Sequence, residues 1–313
     1  MKLQSRTILR GAALILSFWA SAQITLANIE ITLTNAFIDK FKDRATIDAS
    51  FIVDKAHPHP NAPKNDGDLH AAGRAAEVQL PIVAEIMNAG SETEAVDAVH
   101  AVEGSGQTIP LTGVWRLWCE HGGESQQIQG HALEPFKTTN PQHVFQIHPL
   151  TKVKTTSILE SLHKIDGYQP KDAEAAFLKY EGLRCHMDVS SKKATELTTT
   201  MAGYNYVEFI LKPIEKPQPL PDGTAVMAEV DTLNGDLLVH KRRMIFVKDS
   251  PPEQALKALR ENEEMHVLGV PRISLNLISW RRDHSKENKK VLDWALPYEI
   301  VIVGYYETVP VPE

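Results

Sequence analysis

Imidazoles and carboxylates crowd into one stretch of this chain. His57, His59, Asp66, Asp68 and His70 follow one another closely, and Glu85 comes a short segment later. Imidazole nitrogen together with carboxylate oxygen suits a divalent transition metal, and Asp66-Gly67-Asp68 is a turn that can fold flanking donors toward one another. The same residues have a plainer use. Asp-Gly-Asp is ordinary turn chemistry, and His57 and His59 stand in the run Ala56-His57-Pro58-His59-Pro60-Asn61-Ala62-Pro63, where water can satisfy both rings. The cluster is a metal-site candidate whose coordination geometry the sequence leaves open.

Two further groups could contact a ligand. Trp115, Trp118, Glu120 and His121 end one apolar run, and His143 and His148 sit in another. Aromatic faces on strands can stack on sugars or bases, and a Glu/His pair can exchange protons. Trp115 shares its parity with Leu117 and Cys119, which marks it as core, so Trp118 is the surface candidate, with His121 and His143 beside it. The last group is cationic. Between Trp280 and Lys290 five Lys/Arg face two acids, and with Arg242, Arg243 and Arg272 they can form a basic lip for an anionic partner, Arg272, Arg281 and Arg282 being its ligand-facing members. A loop kept in solvent by its charge would have the same composition. No serine, cysteine or lysine stands in the context of an activated nucleophile, and the GxSxG, P-loop, HExxH and dinucleotide patterns are absent from the sequence, so nucleotide-dependent chemistry is not indicated.

Compartment comes from the N-terminus. Lys2, Arg6 and Arg10, an apolar run from Gly11 to Ala20 and then Ala20-Ser21-Ala22 follow the order of a secretory signal peptide. Cleavage is expected between Ala22 and Ala27, leaving an exported, periplasmic or extracellular chain. The apolar run is too short to span a bilayer, and no stable membrane span is expected after its removal. Loss of those three cations takes the formal net charge from −7 to −10, which disfavours nucleic acid as a partner because non-specific affinity there comes from neutralising phosphates. In an oxidising compartment Cys119 and Cys185, each on the apolar parity of a strand, read equally as a disulfide or as two separate core thiols.

Those residues need elements to hold them. With 42% hydrophobic and 23% charged residues over 313 positions, the chain has enough apolar material for two domains. Residues 29–33 alternate like a strand, and Asn35 is placed to cap a short helix bearing Phe37, Ile38 and Phe41. Strands follow at 45–53, 69–73 and 80–87, then a capping box at Ser91-Glu92-Thr93-Glu94 opens a helix, and strands return at 111–119 and 143–149. A helical connector bears Ile158, Leu159, Leu162 and Ile165, with a second helix starting near Asp172. Beyond it come a hairpin at 183–201, strands at 204–211 and 224–247 turning through Asn234-Gly235, a second capping box at Ser250-Pro251-Pro252-Glu253, and strands at 265–280 and 298–305. Strands, one helix, two strands is the order of an oligonucleotide/oligosaccharide-binding (OB) barrel, and it occurs twice. The expected fold is mainly β with a few helices: two OB-like small β-barrels joined by a helical connector. Its division is a signal peptide at 1–22, a first OB-like domain at 23–153, the connector at 154–182 and a second β-rich domain at 183–313.

Asp66-Gly67-Asp68-Leu69-His70, Val83-Ala84-Glu85-Ile86, Thr112-Gly113-Val114-Trp115 and His143-Val144-Phe145-Gln146-Ile147-His148-Pro149-Leu150 stand in an order that resembles a group of exported bacterial proteins of unknown function. Their OB-like core is distantly similar to staphylococcal-type nucleases. The resemblance covers residues 45–153. It implies an OB-like fold and, if pressed, a Ca²⁺-type site at the Asp-Gly-Asp turn with Glu85 as a second acid. The Arg-led strand of such nucleases is missing, since residues 80–87 are nearly all apolar, and a phosphodiesterase transition state needs those cations.

The function expected is that of an exported, non-catalytic binding protein whose partner is a protein or glycan. The alternative is a divalent-metal-dependent, nuclease-like hydrolase with an incomplete site. No resident cofactor is expected on the first reading, and a divalent metal ion on the second.

Overall fold

The computed structural model describes residues 28–122, 126–285 and 290–307. The signal peptide read at 1–22 lies outside the described residues, as do Lys286, Glu287, Asn288 and Lys289 of the basic segment.

Alternation makes the first strand. In β1 (Asn28–Thr34) Ile29, Ile31 and Leu33 are buried on one parity. Thr34, not Asn35, caps α1 (Asn35–Phe41), its hydroxyl accepting from the Phe37 amide at 3.2 Å. Asn35 is the first helical residue, and its side chain accepts instead from Thr195.

The chain then builds β2 (Thr46–Ala56), β3 (Leu69–Ala75), β4 (Ile82–Ile86), α2 (Thr93–His100), β5 (Thr108–His121), β6 (Gln126–Ile128), β7 (His143–Val153) and β8 (Thr156–Ser157). Five of these strands close a barrel in the order β2-β3-β4-β7-β5 and back to β2, with β4 and β7 the one parallel pair. Helix α2 sits between the third and fourth barrel strands, the OB-like connectivity. The expected box at Ser91 does not form, because Ser91 turns its hydroxyl to the Asn88 carbonyl and α2 starts with no side-chain cap.

Next come β9 (Lys171–Asp172), α3 (Ala173–Gly182), β10 (Arg184–Asp188), β11 (Ala194–Thr200), β12 (Val207–Pro213), β13 (Gln218–Leu220), β14 (Gly223–Asp231), β15 (Leu237–Val247), α4 (Pro251–Ala258), β16 (Met265–Ile273), α5 (Leu275–His284), β17 (Lys290–Ala295) and β18 (Tyr298–Tyr306). Here too five strands pair in a ring, β12-β14-β15-β18-β16 and back to β12, with β15 and β18 parallel and α4 between the third and fourth. Ser250 caps α4 as its sequence predicts, accepting from the Glu253 amide behind Pro251.

Several elements differ from the sequence reading. Between the two rings there is no long helix. Residues 154–182 hold β8, a short 3₁₀ turn at Leu159–Ser161, β9 and then α3, which alone starts as expected, with Asp172 accepting from the Ala175 amide. Ile158, Leu162 and Ile165 are buried without helical order. The hairpin β10–β11 does not join the second ring. It forms a third sheet, β17-β10-β11-β1-β6, in which β1 pairs antiparallel with β11 from Asn28↔Thr200 to Thr34↔Ala194. The strand expected at 265–280 stops at Ile273, and Trp280, Arg281 and Arg282 lie in α5 rather than in a loop.

The two rings pack outer face against outer face. One apolar cluster fills the ring interiors, and a second brings Met87 and Val114 of the first ring against Leu268, Val270 and Val301 of the second. Strands β4, β16 and most of β7 and β18 are therefore buried on both sides. That is why their sequences read as continuous apolar runs rather than alternating ones. Arg272 locks the seam. Expected to face a ligand, it is buried, donates to the carbonyls of Arg44, Ala45 and Trp115, pairs with Glu299 at 2.7 Å, and lies over the Trp115 ring. Cys119 and Cys185 are both buried and carry free thiols in this structure, and burial pushes Cys185 up to about 12. No helix among the described residues is long and apolar enough to cross a membrane.

Candidate functional site

The seam also holds a band of polar side chains on the outer face of the first ring. His70 on β3 stands opposite Glu85 on β4, and Gln146 on β7 stands opposite Arg116 on β5. Because side chains alternate along a strand, His148 shares the face of Gln146, and Asp68 that of His70. Four adjacent strands thus put Asp68, His70, Glu85, Gln146, His148, Arg116 and Glu120 side by side, and the second half of the chain covers them. Asp68, Glu85, Arg116 and His148 are each no more than 1% exposed.

Their hydrogen bonds run in one direction. Arg116 Nη1 donates to Gln146 Oε1, and Gln146 Nε2 donates to Glu85 Oε1 at 2.6 Å. Tyr206, entering from just before β12, donates its hydroxyl to Asp68 Oδ2 at 2.7 Å, so His148 Nε2, 2.7 Å from the same hydroxyl, is the donor there. The remaining ring nitrogen, His148 Nδ1, lies 3.4 Å from Glu85 Oε2, and His70 Nε2 lies 3.5 Å from that same oxygen. Arg116 completes its donors with Glu120 at 2.8 Å and the Pro271 carbonyl at 3.0 Å.

Burial sets the charge states. It pushes Asp68 well above the usual carboxylate range, aided by Asp66 and opposed by the Tyr206 hydrogen bond. Glu85 is raised by burial against the attraction of His148 and His70. Burial drives His148 down to about 4. His70 goes the other way: burial lowers it, but Glu85, Asp68 and Asp66 outweigh that and raise it. Glu120 is raised by burial yet ends lowered, because Arg116 and His121 sit beside it.

Of the six metal candidates in the sequence, the structure brings four together. Asp66, Asp68 and His70 place one donor atom each within 4.8 Å of one another, and so do Asp68, Glu85 and His148. His57 stacks on His70 at 4.7 Å without joining either group, and His59 is exposed and in neither. His148 and Tyr206 complete the band. The sequence sets His148 with the aromatic group rather than with this acid cluster, and Tyr206 has no local signal at all.

The aromatic candidates fare differently. Trp118 is buried, its indole donating to the Gly203 carbonyl and its ring set edge-on to Tyr180, so it offers no surface. His143 is buried as well. Its Nδ1–H donates to the Pro141 carbonyl at 2.7 Å, and burial lowers it to about 3. His121 remains partly exposed, stacked on His143 at 5.1 Å.

An open cleft of about 270 Å³ lies elsewhere, between α5, the end of α3 and the β17–β18 turn. Trp280 and Leu277, 52% and 41% exposed, form its outer wall. Arg281 lies 4.6 Å from the Trp294 ring and Arg242 lies 3.9 Å from the Tyr298 ring. Arg242 is also paired with Glu181 at 2.6 Å, whereas the Nε of each arginine has no hydrogen-bond partner. Arg282 is turned away, onto Asp39 and Asp283.

Against known proteins, no family model and no curated sequence matches the chain. Among solved structures, one described as "Structural mimicry for functional antagonism" is similar at 8% identity over 84% of this chain and 98% of its own, with a TM-score of 0.19.

Proposed function

We propose that the protein is an exported binding protein that holds an acidic glycan in the cleft beside α5. The observation that carries this reading is the pairing of exposed flat apolar surface with two arginines in one cleft. Trp280 offers an exposed aromatic surface for a sugar ring, and Arg242 and Arg281, which line the same cleft, bring guanidinium charge to face a carboxylate. Export accords with the N-terminal sequence, and the local positive charge gives an otherwise acidic chain one place to receive an anion.

Less favours the hydrolase reading. Asp66, Asp68, His70 and Glu85 do converge, but Asp68, Glu85 and His148 lie beneath the second half, and Arg116 is occupied by Gln146, Glu120 and Pro271. A polymer could meet their reactive atoms only if the two rings separated.

Calorimetric titration of the purified chain with an oligogalacturonate, and with a neutral oligosaccharide of equal length, tests the reading. Binding of the acidic sugar alone is expected, weakened at least about tenfold by Trp280→Ala and by Arg281→Gln, in line with the 1–3 kcal/mol of one stacked ring or one charge-assisted bond. No binding, or binding indifferent to both substitutions, would sink it.

A further inference from the structure

We infer that Asp68, Glu85 and His148 form a binding site for one divalent first-row transition ion, buried in the seam and reached past His70 and Asp66. The band is more than an acidic cluster, because each of its three members has one donor atom tied down and another left without a hydrogen bond. Glu85 uses Oε1 on Gln146 and leaves Oε2. His148 uses Nε2 on Tyr206 and leaves Nδ1. Asp68 uses Oδ2 on Tyr206 and leaves Oδ1. Buried polar atoms without partners are rare in folded proteins, and here three neighbouring residues each carry one.

Metal sites are built this way. The atom that does not touch the metal is held by an outer hydrogen bond, which fixes the tautomer and the rotamer of the ligand. Here Gln146, itself held by Arg116, orients Glu85. Tyr206 orients both Asp68 and His148. The 3.4 Å between Glu85 Oε2 and His148 Nδ1 matches the separation of about 3.4 Å between two ligands at tetrahedral angles on an ion bonded at ~2.1 Å. One donor atom from each of the three residues lies within 4.8 Å of the others.

Charge points the same way. Two carboxylates buried side by side resist ionising together unless a positive charge joins them, and a doubly positive ion supplies that charge while His148 binds as the neutral imidazole. One nitrogen and two oxygens fit Zn²⁺ or Mn²⁺, whereas Ca²⁺ needs six to eight oxygen ligands. A way in exists. Asp66 and the partly exposed His70 overlap the buried group through Asp68, so donors lead from the surface to the centre. Tyr206 reaches the site from the second half, so a bound ion would fasten the two halves together.

The test uses the purified full chain, stripped with chelator, loaded with Zn²⁺ and freed of excess ion by gel filtration. We expect one Zn²⁺ per chain by elemental analysis and a melting temperature several degrees above the stripped protein. Glu85→Gln keeps the shape and the bond from Gln146, and should weaken binding at least 100-fold without lowering the melting temperature of the stripped chain. His59→Ala, on the exposed loop, should change nothing. Less than about 0.2 Zn²⁺ per parent chain would overturn the inference, as would full binding by both Glu85→Gln and Asp68→Asn. Should a variant fail to fold, X-ray absorption of the loaded parent decides: one imidazole among oxygen ligands supports the site, and sulfur or several imidazoles refute it. None of these measurements depends on the glycan cleft.

Discussion

Asp222 shows how much one side chain can do in this molecule. It stands between β13 and β14, in the second half, yet it accepts from Ala45 N, Thr46 N, Thr46 Oγ1 and Arg44 Nε, all in the first, at 2.7 to 3.0 Å. Burial raises its pKa, but these donors outweigh burial and hold the carboxyl below its ordinary value. A lowered folded pKa means stability that is present above the unfolded value of about 4 and is lost as pH falls through the folded one. Asp222→Asn should therefore cost roughly 2 kcal/mol at neutral pH. Its stability should also fall less steeply than that of the parent between about pH 5 and 2. Urea melts across that range check this, and parallel curves would contradict it. At this scale the sequence singled out Asp66, Asp68, His70 and Glu85 by residue type alone. Trp118, His143 and Arg272 misled it, because the type of a strand residue says nothing about what covers its outer face.

Strands show the same limit one level up. Gly73 lies in β3 where β2 is bulged, and a Cβ there would meet the Ile52 carbonyl at 2.0 Å and the Phe51 ring at 2.6 Å. Neither can move without opening the β2–β3 ladder. Gly73→Ala should cost at least the upper end of the ~1–3 kcal/mol usual for overpacking, read as a fall in the denaturation midpoint with unchanged slope; a midpoint within error of the parent would refute the tight approach. The elements found from sequence were those with a clean local signal: the alternation of β1 and β2, the Ser250-Pro251 start of α4, and Asp172 before α3. Helix α5 was missed because it has no single apolar stripe. Leu275 and Ile278 are buried while Leu277 and Trp280 are exposed, and only the cap at Ser274 marks its start.

At the scale of the whole molecule the halves depend on each other. Sheet β17-β10-β11-β1-β6 takes strands from both, and the seam covers a ring face that carries Glu85, His148 and Arg116. A chain cut after residue 153 would leave β1 without β11 and would expose that face. It would also lose Arg272 and Asp222 from the seam. We expect the fragment 23–153 to show no cooperative thermal transition by circular dichroism and to aggregate through its uncovered strands. A soluble monomer with a sharp transition would show that the first ring is self-sufficient. Two strand sets with a helix between their third and fourth members were legible because that order is written locally. Their burial against one another was not.

By itself the sequence determined the class of the fold, the order of its strands and the residue types of the acid and imidazole cluster, since periodicity, caps and turns act over a few residues. Tertiary structure decided everything that depends on distant neighbours. It put β1 beside β11, buried Cys119 and Cys185, and moved Arg272 from an expected ligand-facing lip into the seam. It also brought His148 and Tyr206 to Asp68 and Glu85. The reason is burial: whether a polar side chain on a strand meets water, a partner or an ion is set by the surface laid over it, and in this protein that surface comes from the other half of the chain.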